Sequence, residues 1–158
     1  MSSKAMPDKV ARRLGYALKR AQHALRLNMD AALRTVPLTM PQYAVLCAIE
    51  AERGLSNARL ARAAFVSAQT MQGILANLER DGLIRRPPDP SHGKILRNEL
   101  TDRGRKLLAK AHVAARVVEE RMVASFGEKA ADQLADALSK CAEDLTAALE
   151  RVAEVALV

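Results

Sequence analysis

Residues 56–86 read SNARLARAAFVSAQTMQGILANLERDGLIRR, and this stretch decides the fold. Ser56 suits the N-cap of a short helix whose buried side is marked by Leu60 and Ala61. Ser67 suits a second N-cap, because a seryl oxygen can accept from an early amide that the helix leaves unpaired. Met71, Ile74, Leu75 and Leu78 then recur at helical spacing. Gln69, Gln72, Gly73 and Arg80 fall off that stripe, and Gly82 stands where a left-handed helix stop belongs. The spacing predicts a helix-turn-helix whose second helix buries one face and leaves the other open to DNA. Pairs of short amphipathic helices occur in many folds, so the pair alone does not separate nucleic-acid binding from ordinary packing. The flanks carry the difference.

Downstream, Leu83 and Ile84 begin a short strand that continues through Arg85 and Arg86 into PPDPSHGK. Proline, Asp, Ser and Gly favour turns, and three prolines exclude a regular central strand. Residues 95–100 read as the return strand, which makes a two-stranded hairpin with a basic tip, a wing. Thr101 and Asp102 suit the start of the next helix, with Leu107, Ala111, Ala114, Val118 and Met122 inward and Gly127 as its break. Upstream, Thr39 with Gln42 matches a capping box, and Pro41 is tolerated so early in a helix. Tyr43, Leu46, Cys47 and Ile49 supply that helix's inner side, and Gly54 ends it. The first helix is opened by Pro7 and runs to about Leu33 on a stripe of Val10, Leu14, Leu18, Ala21, Leu25 and Met29. The last carries Leu134, Leu138, Cys141, Leu145, Ala148, Val152 and Val155 in alternating steps of four and three. A subunit interface fits this near-heptad better than packing within one chain, because no second layer is evident to cover it. The expected class is mainly α with a small β-hairpin wing. A winged helix-turn-helix occupies 38–101, and a helical dimerisation region is built from 9–35 and 102–155.

The chain has 158 residues, long enough for a core without metals or disulfides. Its net charge of +7 is unevenly spread. Lys and Arg outnumber Asp and Glu by eight to four over 1–52 and by eleven to five over 53–106, but are outnumbered six to nine over 107–158. The positive charge therefore lies with the helix-turn-helix and wing, which suits phosphates. No apolar run approaches a membrane span, and the N-terminus lacks the apolar core of a secretory signal. Cys47 and Cys141 have no metal-ligand spacing with each other or with His23, His92 and His112, so both read as buried structural thiols of a reducing cytoplasm. No nucleophilic triad, glycine phosphate loop or paired-carboxylate site stands out, so an enzyme is not expected, nor a cofactor or metal.

LTMPQYAVLCAI, LARAAFVSAQTMQGILANLERDGLIRR and LTDRGRKLL, in this order and at these separations, resemble the MarR family of winged helix-turn-helix transcription regulators. The resemblance covers nearly the whole chain. It implies a cytoplasmic homodimer whose terminal helices interlock and whose two winged domains bind palindromic double-stranded DNA, associating with the nucleoid when bound. Many members repress transcription and release DNA when a small aromatic or otherwise apolar acid binds. A ligand-independent activator or architectural regulator, and a protein-interaction module on the same scaffold, are the alternatives.

On this resemblance Gln69, Thr70 and Gln72 are the base-reading candidates, since Gln can bond adenine twice and Thr can touch a thymine methyl. Ser67 suits a phosphate or base contact, Gly73 would let the duplex approach, and Asn77 and Arg80 would reach backbone. Arg59 and Arg62 could hold phosphates. Arg85 and Arg86 alternate across a strand, so one of them points to DNA, and Arg86 could equally pair with Asp89 or Asp102. At the wing, Lys94 and Arg97 are candidates for the minor groove or its phosphates. Family members often carry Asp-x-Arg at the tip, where this chain has His92 and Lys94, which removes the carboxylate pair and the guanidinium fork. The dimer interface would use Leu14, Leu18, Leu134, Leu138, Cys141, Leu145, Ala148 and Val152. An effector would lie between the dimer helices and the winged domain, lined by Tyr16, Arg20, His23, Met40, Tyr43 and His112.

Overall fold

The computed structural model describes residue 10 and residues 12–88 and 96–155. Its elements run α1 (Leu14–Leu33), α2 (Met40–Ala51), α3 (Asn57–Ala63), α4 (Ala68–Arg80), β1 (Ile84–Arg85), β2 (Glu99–Leu100), α5 (Asp102–Ala124) and α6 (Glu128–Val155). The chain divides into two compact units, one ending at Val118 and the other beginning at Glu119.

In the first unit, local signals place the helix ends. Thr39 and Gln42 form the capping box, with the Thr39 amide donating to Gln42 Oε1 at 2.9 Å. Ser56 Oγ accepts from the Arg59 amide, and Ser67 Oγ from the Thr70 amide at 3.1 Å. After α4 the chain reverses through Gly82 at φ 67°, while the Leu83 amide donates to Leu78 O at 2.8 Å. That is the stop in which glycine avoids the steric cost of a Cβ. Leu60, Met71, Leu75, Leu78, Leu46 and Leu108 are fully buried at the centre of the core.

The hairpin is short. β1 and β2 are antiparallel, pairing Ile84 with Leu100 and Arg85 with Glu99, and an isolated bridge joins Pro88 to Leu96. Among the described residues of the strand expected over 95–100, only Glu99–Leu100 is regular, and the facing arm carries Pro87 and Pro88, which have no amide to donate to a ladder. Pro7, also outside the described residues, cannot be assigned as a helix start; the long helix begins at Leu14, after Arg13 in extended backbone.

Within the α1 stripe Met29 is buried, while Leu14 and Leu18, expected at the dimer interface, are exposed. Two packing expectations change. On α5 the inward line is Gly104, Leu108, Ala111, Ala115 and Val118; Leu107 and Ala114 are half-buried and Met122 is exposed. Gly104 sets this rotation. A Cβ there would lie 2.0 Å from the Leu83 carbonyl oxygen, so only glycine lets α5 approach the end of α4 this closely. Thr101 fastens the same place: its Oγ1 donates toward Gly82 O at 2.7 Å and accepts from the Gly104 amide at 3.0 Å. The cysteines are half-buried rather than buried, and neither forms a disulfide.

The second unit holds the end of α5 and the 28 residues of α6, separated by Gly127 at φ 84°. Leu134, Leu138, Leu145, Leu149 and Val152 are exposed along α6, whereas Cys141 and Ala148 are half-buried. Among the described residues no helix is long and apolar enough to cross a membrane.

Candidate nucleic-acid interface

The amphipathic pattern of α4 fixes what it shows to solvent. Met71, Leu75 and Leu78 anchor one face in the core. Gln69, Gln72, Gly73, Ala76 and Arg80 are exposed and, at steps of three and four, form one strip along the opposite face, flanked by Thr70 and Asn77. The strip is polar at its N-terminal end, small in the middle and cationic at its C-terminal end. A Cβ on Gly73 would meet nothing within 4 Å, so within the chain the missing side chain is not required for packing. Ala76 belongs to this flat middle and was not singled out from the sequence, although its helical phase identifies it.

Ser67 and Thr70 are already engaged with each other. Besides the cap, their hydroxyls lie 2.8 Å apart in a hydrogen bond. Ser67 therefore orients the first turn of α4, and any contact it makes to a ligand is additional. Arg80 is 72% exposed and lies 3.4 Å from Asp81 Oδ1, a loose pairing that leaves its guanidinium facing solvent.

The surrounding cations fall into distinct groups. Arg62 is exposed in the last turn of α3. Arg59 makes a two-point ion pair with Glu52, Nη1 to Oε1 at 2.5 Å and Nη2 to Oε2 at 2.8 Å, so a phosphate would compete with that carboxylate. Arg85 pairs across the hairpin with Glu99 at 2.7 Å. Arg86 turns inward, its side chain 18% exposed and Nη1 3.9 Å from Glu79 Oε2, with Nε enclosed and lacking a hydrogen-bond partner among the described residues. The pairing considered with Asp102 does not form, because Asp102 is taken by Arg105; Asp89 lies outside the described residues. The Arg105 hydrogen bond and charge hold the Asp102 carboxyl below the ordinary carboxylate range.

Of the wing residues, His92 and Lys94 lie outside the described residues. Arg97 sits at the wing's root, half-buried, its amide donating to Pro87 O at 2.9 Å and its stem lying over Gly54. Beside it Asn98, which sequence reasoning missed, is fully buried. Its Nδ2 donates to Leu55 O at 2.9 Å and to Asn57 Oδ1 at 3.3 Å. This ties the wing root to the start of α3. The two-residue period that turns Leu100 inward also turns Asn98 inward, a signal available from the sequence.

The proposed effector residues separate into two places. Tyr43 and His112 come together: Tyr43 Oη lies 3.0 Å from His112 Nδ1, with the rings edge-on at 74°, and His112 Nε2 lies 2.9 Å from Glu50 Oε2. Both polar ends of this pair face protein groups, while Met40 packs at the core margin. Arg20 and His23 are instead exposed on α1 beside a shallow hollow with Ala17, Ala21 and Ala24, and Tyr16 is half-buried. A different groove was not foreseen. Two adjoining cavities of about 430 and 410 Å³ share Pro37, Arg103 and Leu107, with Arg80, Lys106 and Lys110 at the rim.

The MarR family pattern matches residues 36–95. The chain is 40% identical over 111 residues to the HTH-type transcriptional repressor Rv2887 of Mycobacterium tuberculosis, covering 70% of this chain and 80% of that protein. Among solved structures, the transcriptional repressor CouR bound to a 23-mer DNA duplex superposes with a TM-score of 0.80 at 30% identity, covering 89% of this chain and 99% of that one. Rv2887 in complex with salicylic acid gives a TM-score of 0.68 at 36% identity, covering 82% and 96%.

Proposed function

This chain belongs to the MarR family of winged helix-turn-helix transcription regulators, and from that premise we propose that it is a homodimeric repressor of a palindromic operator, released by a small aromatic or otherwise apolar organic acid. The carrying observation is the solvent-facing strip of α4: side chains able to bond bases at Gln69 and Gln72, then room for a duplex at Gly73 and Ala76. Arg62, Arg80 and the wing's Lys94 supply charge for phosphates. The family's members bind DNA and are not enzymes, and the protein works in the cytoplasm on the nucleoid.

The dimer reading is supported by the exposed leucines of α1 and, separately, of α6, which have no cover within their own units. Two copies would set two recognition helices about 34 Å apart, one turn of B-DNA. Acid release is supported by the groove at Pro37 and Leu107, an apolar floor beneath Arg103, Lys106 and Lys110. It adjoins Gly82 and Leu83 at the end of α4, so an anion held there would bear on the recognition helix.

Fluorescence anisotropy with a selected duplex tests both parts. Binding is expected to weaken steeply with salt, because each phosphate contact releases counterions, and to weaken again on adding salicylate or a related acid. Saturable binding that no acid in a panel alters would favour the ligand-independent reading. No saturable binding at low salt would favour a protein-interaction module.

A further inference from the structure

The turn between α3 and α4 is closed in the same way as the turn after α4, but with a different residue. After α3 the Val66 amide donates to Ala61 O at 3.0 Å and the Phe65 amide to Arg62 O at 3.2 Å, the hydrogen-bond pattern of a helix stop whose next residue must be left-handed. Gly82 fills that position after α4; Phe65 fills it here, at φ 54°, and is the only non-glycine residue with positive φ among the described residues. A large L side chain is disfavoured in this region of backbone space. The ring brings no compensating burial, for Phe65 is 94% exposed. A single exposed apolar residue is ordinary on a protein surface. One placed where glycine would hold the same turn without steric cost, two residues ahead of the Ser67 cap, is not accounted for by folding.

We propose that Phe65 is a specificity-determining residue that packs its ring on the 5-methyl group of a thymine at the edge of each half-site. The proposal rests on the reading of α4 as a recognition helix. In that arrangement the N-terminal end of the helix meets base edges in the major groove, and the turn leading into it lies at the groove's rim. The thymine methyl is the apolar feature of that groove, and a phenyl ring is among the side chains suited to it. The contact is uncharged, so it adds discrimination without adding to the salt slope.

The experiment is a deoxyuridine scan of the selected operator, replacing one thymine at a time in one half-site, with wild type and Phe65→Gly. Wild type should lose about four-fold in affinity at one position, the value of one buried methyl-sized group. Phe65→Gly should bind the unmodified operator correspondingly less well and show no thymine–deoxyuridine difference at that position. Its melting temperature should stay within a few degrees of wild type, because glycine suits the left-handed turn, so weaker binding cannot be assigned to unfolding. Equal deoxyuridine profiles for the two proteins would overturn the proposal. So would a Phe65→Gly loss that is the same for thymine and deoxyuridine at every position, which would place the ring on sugar or nowhere. If wild type binds no selected duplex, it is the recognition-helix reading that fails.

Discussion

Replacing Gly104 with alanine should destabilise the protein, although alanine is the better helix former by about 1 kcal/mol. The added Cβ would sit 2.0 Å from Leu83 O, 3.0 Å from Leu83 C and 3.4 Å from its Cα. These are backbone atoms, so no rotamer change relieves the contact. The same carbonyl accepts from the Thr101 amide at 3.0 Å, and Thr101 Oγ1 lies 3.1 Å from it, so moving α5 away stretches both contacts. Overpacking costs about 1–3 kcal/mol and each weakened hydrogen bond about 1 kcal/mol. After subtracting the gain in helix propensity, the net loss is roughly 2–4 kcal/mol. For a protein of this length that lowers the melting temperature by roughly 5–15 °C. The assay is thermal unfolding followed by circular dichroism, with Gly73→Ala as the matched control. A Gly104→Ala variant that melts at or above wild type would show that α5 does not need glycine to pack against Leu83.

Gly73→Ala should raise stability by about 1 kcal/mol, since its Cβ meets nothing, yet weaken operator binding by placing a methyl on the strip; unchanged binding in anisotropy would remove Gly73 from the interface. Gln72→Ala should reduce discrimination between operator variants by roughly 1–3 kcal/mol, whereas equal loss on all duplexes would contradict base reading. Asn98→Ala should cost about 1–3 kcal/mol, because Leu55 O loses its buried donor, and should speed hydrogen exchange at the Arg97 amide; unchanged exchange would detach Asn98 from the wing. Asp102, its carboxyl depressed by Arg105, contributes stability above the ordinary carboxylate range and loses it as pH falls through the depressed value. The stability difference between wild type and Asp102→Asn should accordingly vanish in strong acid, and a difference that persists there would contradict the assignment.

The helix ends and the buried face of α4 were legible because each is written in neighbouring residues. Thr39 with Gln42, the Ser56 and Ser67 caps, and Gly82 and Gly127 act within a turn or two. The rotation of α5 was not legible. Its inward line passes through Leu108 rather than Leu107 because Gly104 meets Leu83, a tertiary approach with no periodic signature. Candidate cations were found by charge, but their partners were not: Glu52 holds Arg59 and Glu79 faces Arg86, pairs separated by seven residues in sequence that turns bring together. Tyr43 and His112 were named from the sequence only as lining for an effector; their direct contact, and the Glu50 contact that extends it, depend on how α5 lies on α2. Phe65 drew no notice in the sequence, since neither its backbone angle nor its exposure has a local pattern.

Selection of bound duplexes from random DNA with the purified wild-type protein shows whether two copies of the chain read a symmetric site. A homodimeric repressor of a palindromic operator should enrich an inverted repeat whose half-site centres lie about 10 base pairs, or one helical turn, apart. Recovery of unenriched DNA, or of a single unrepeated site bound by one copy of the chain, would contradict that function.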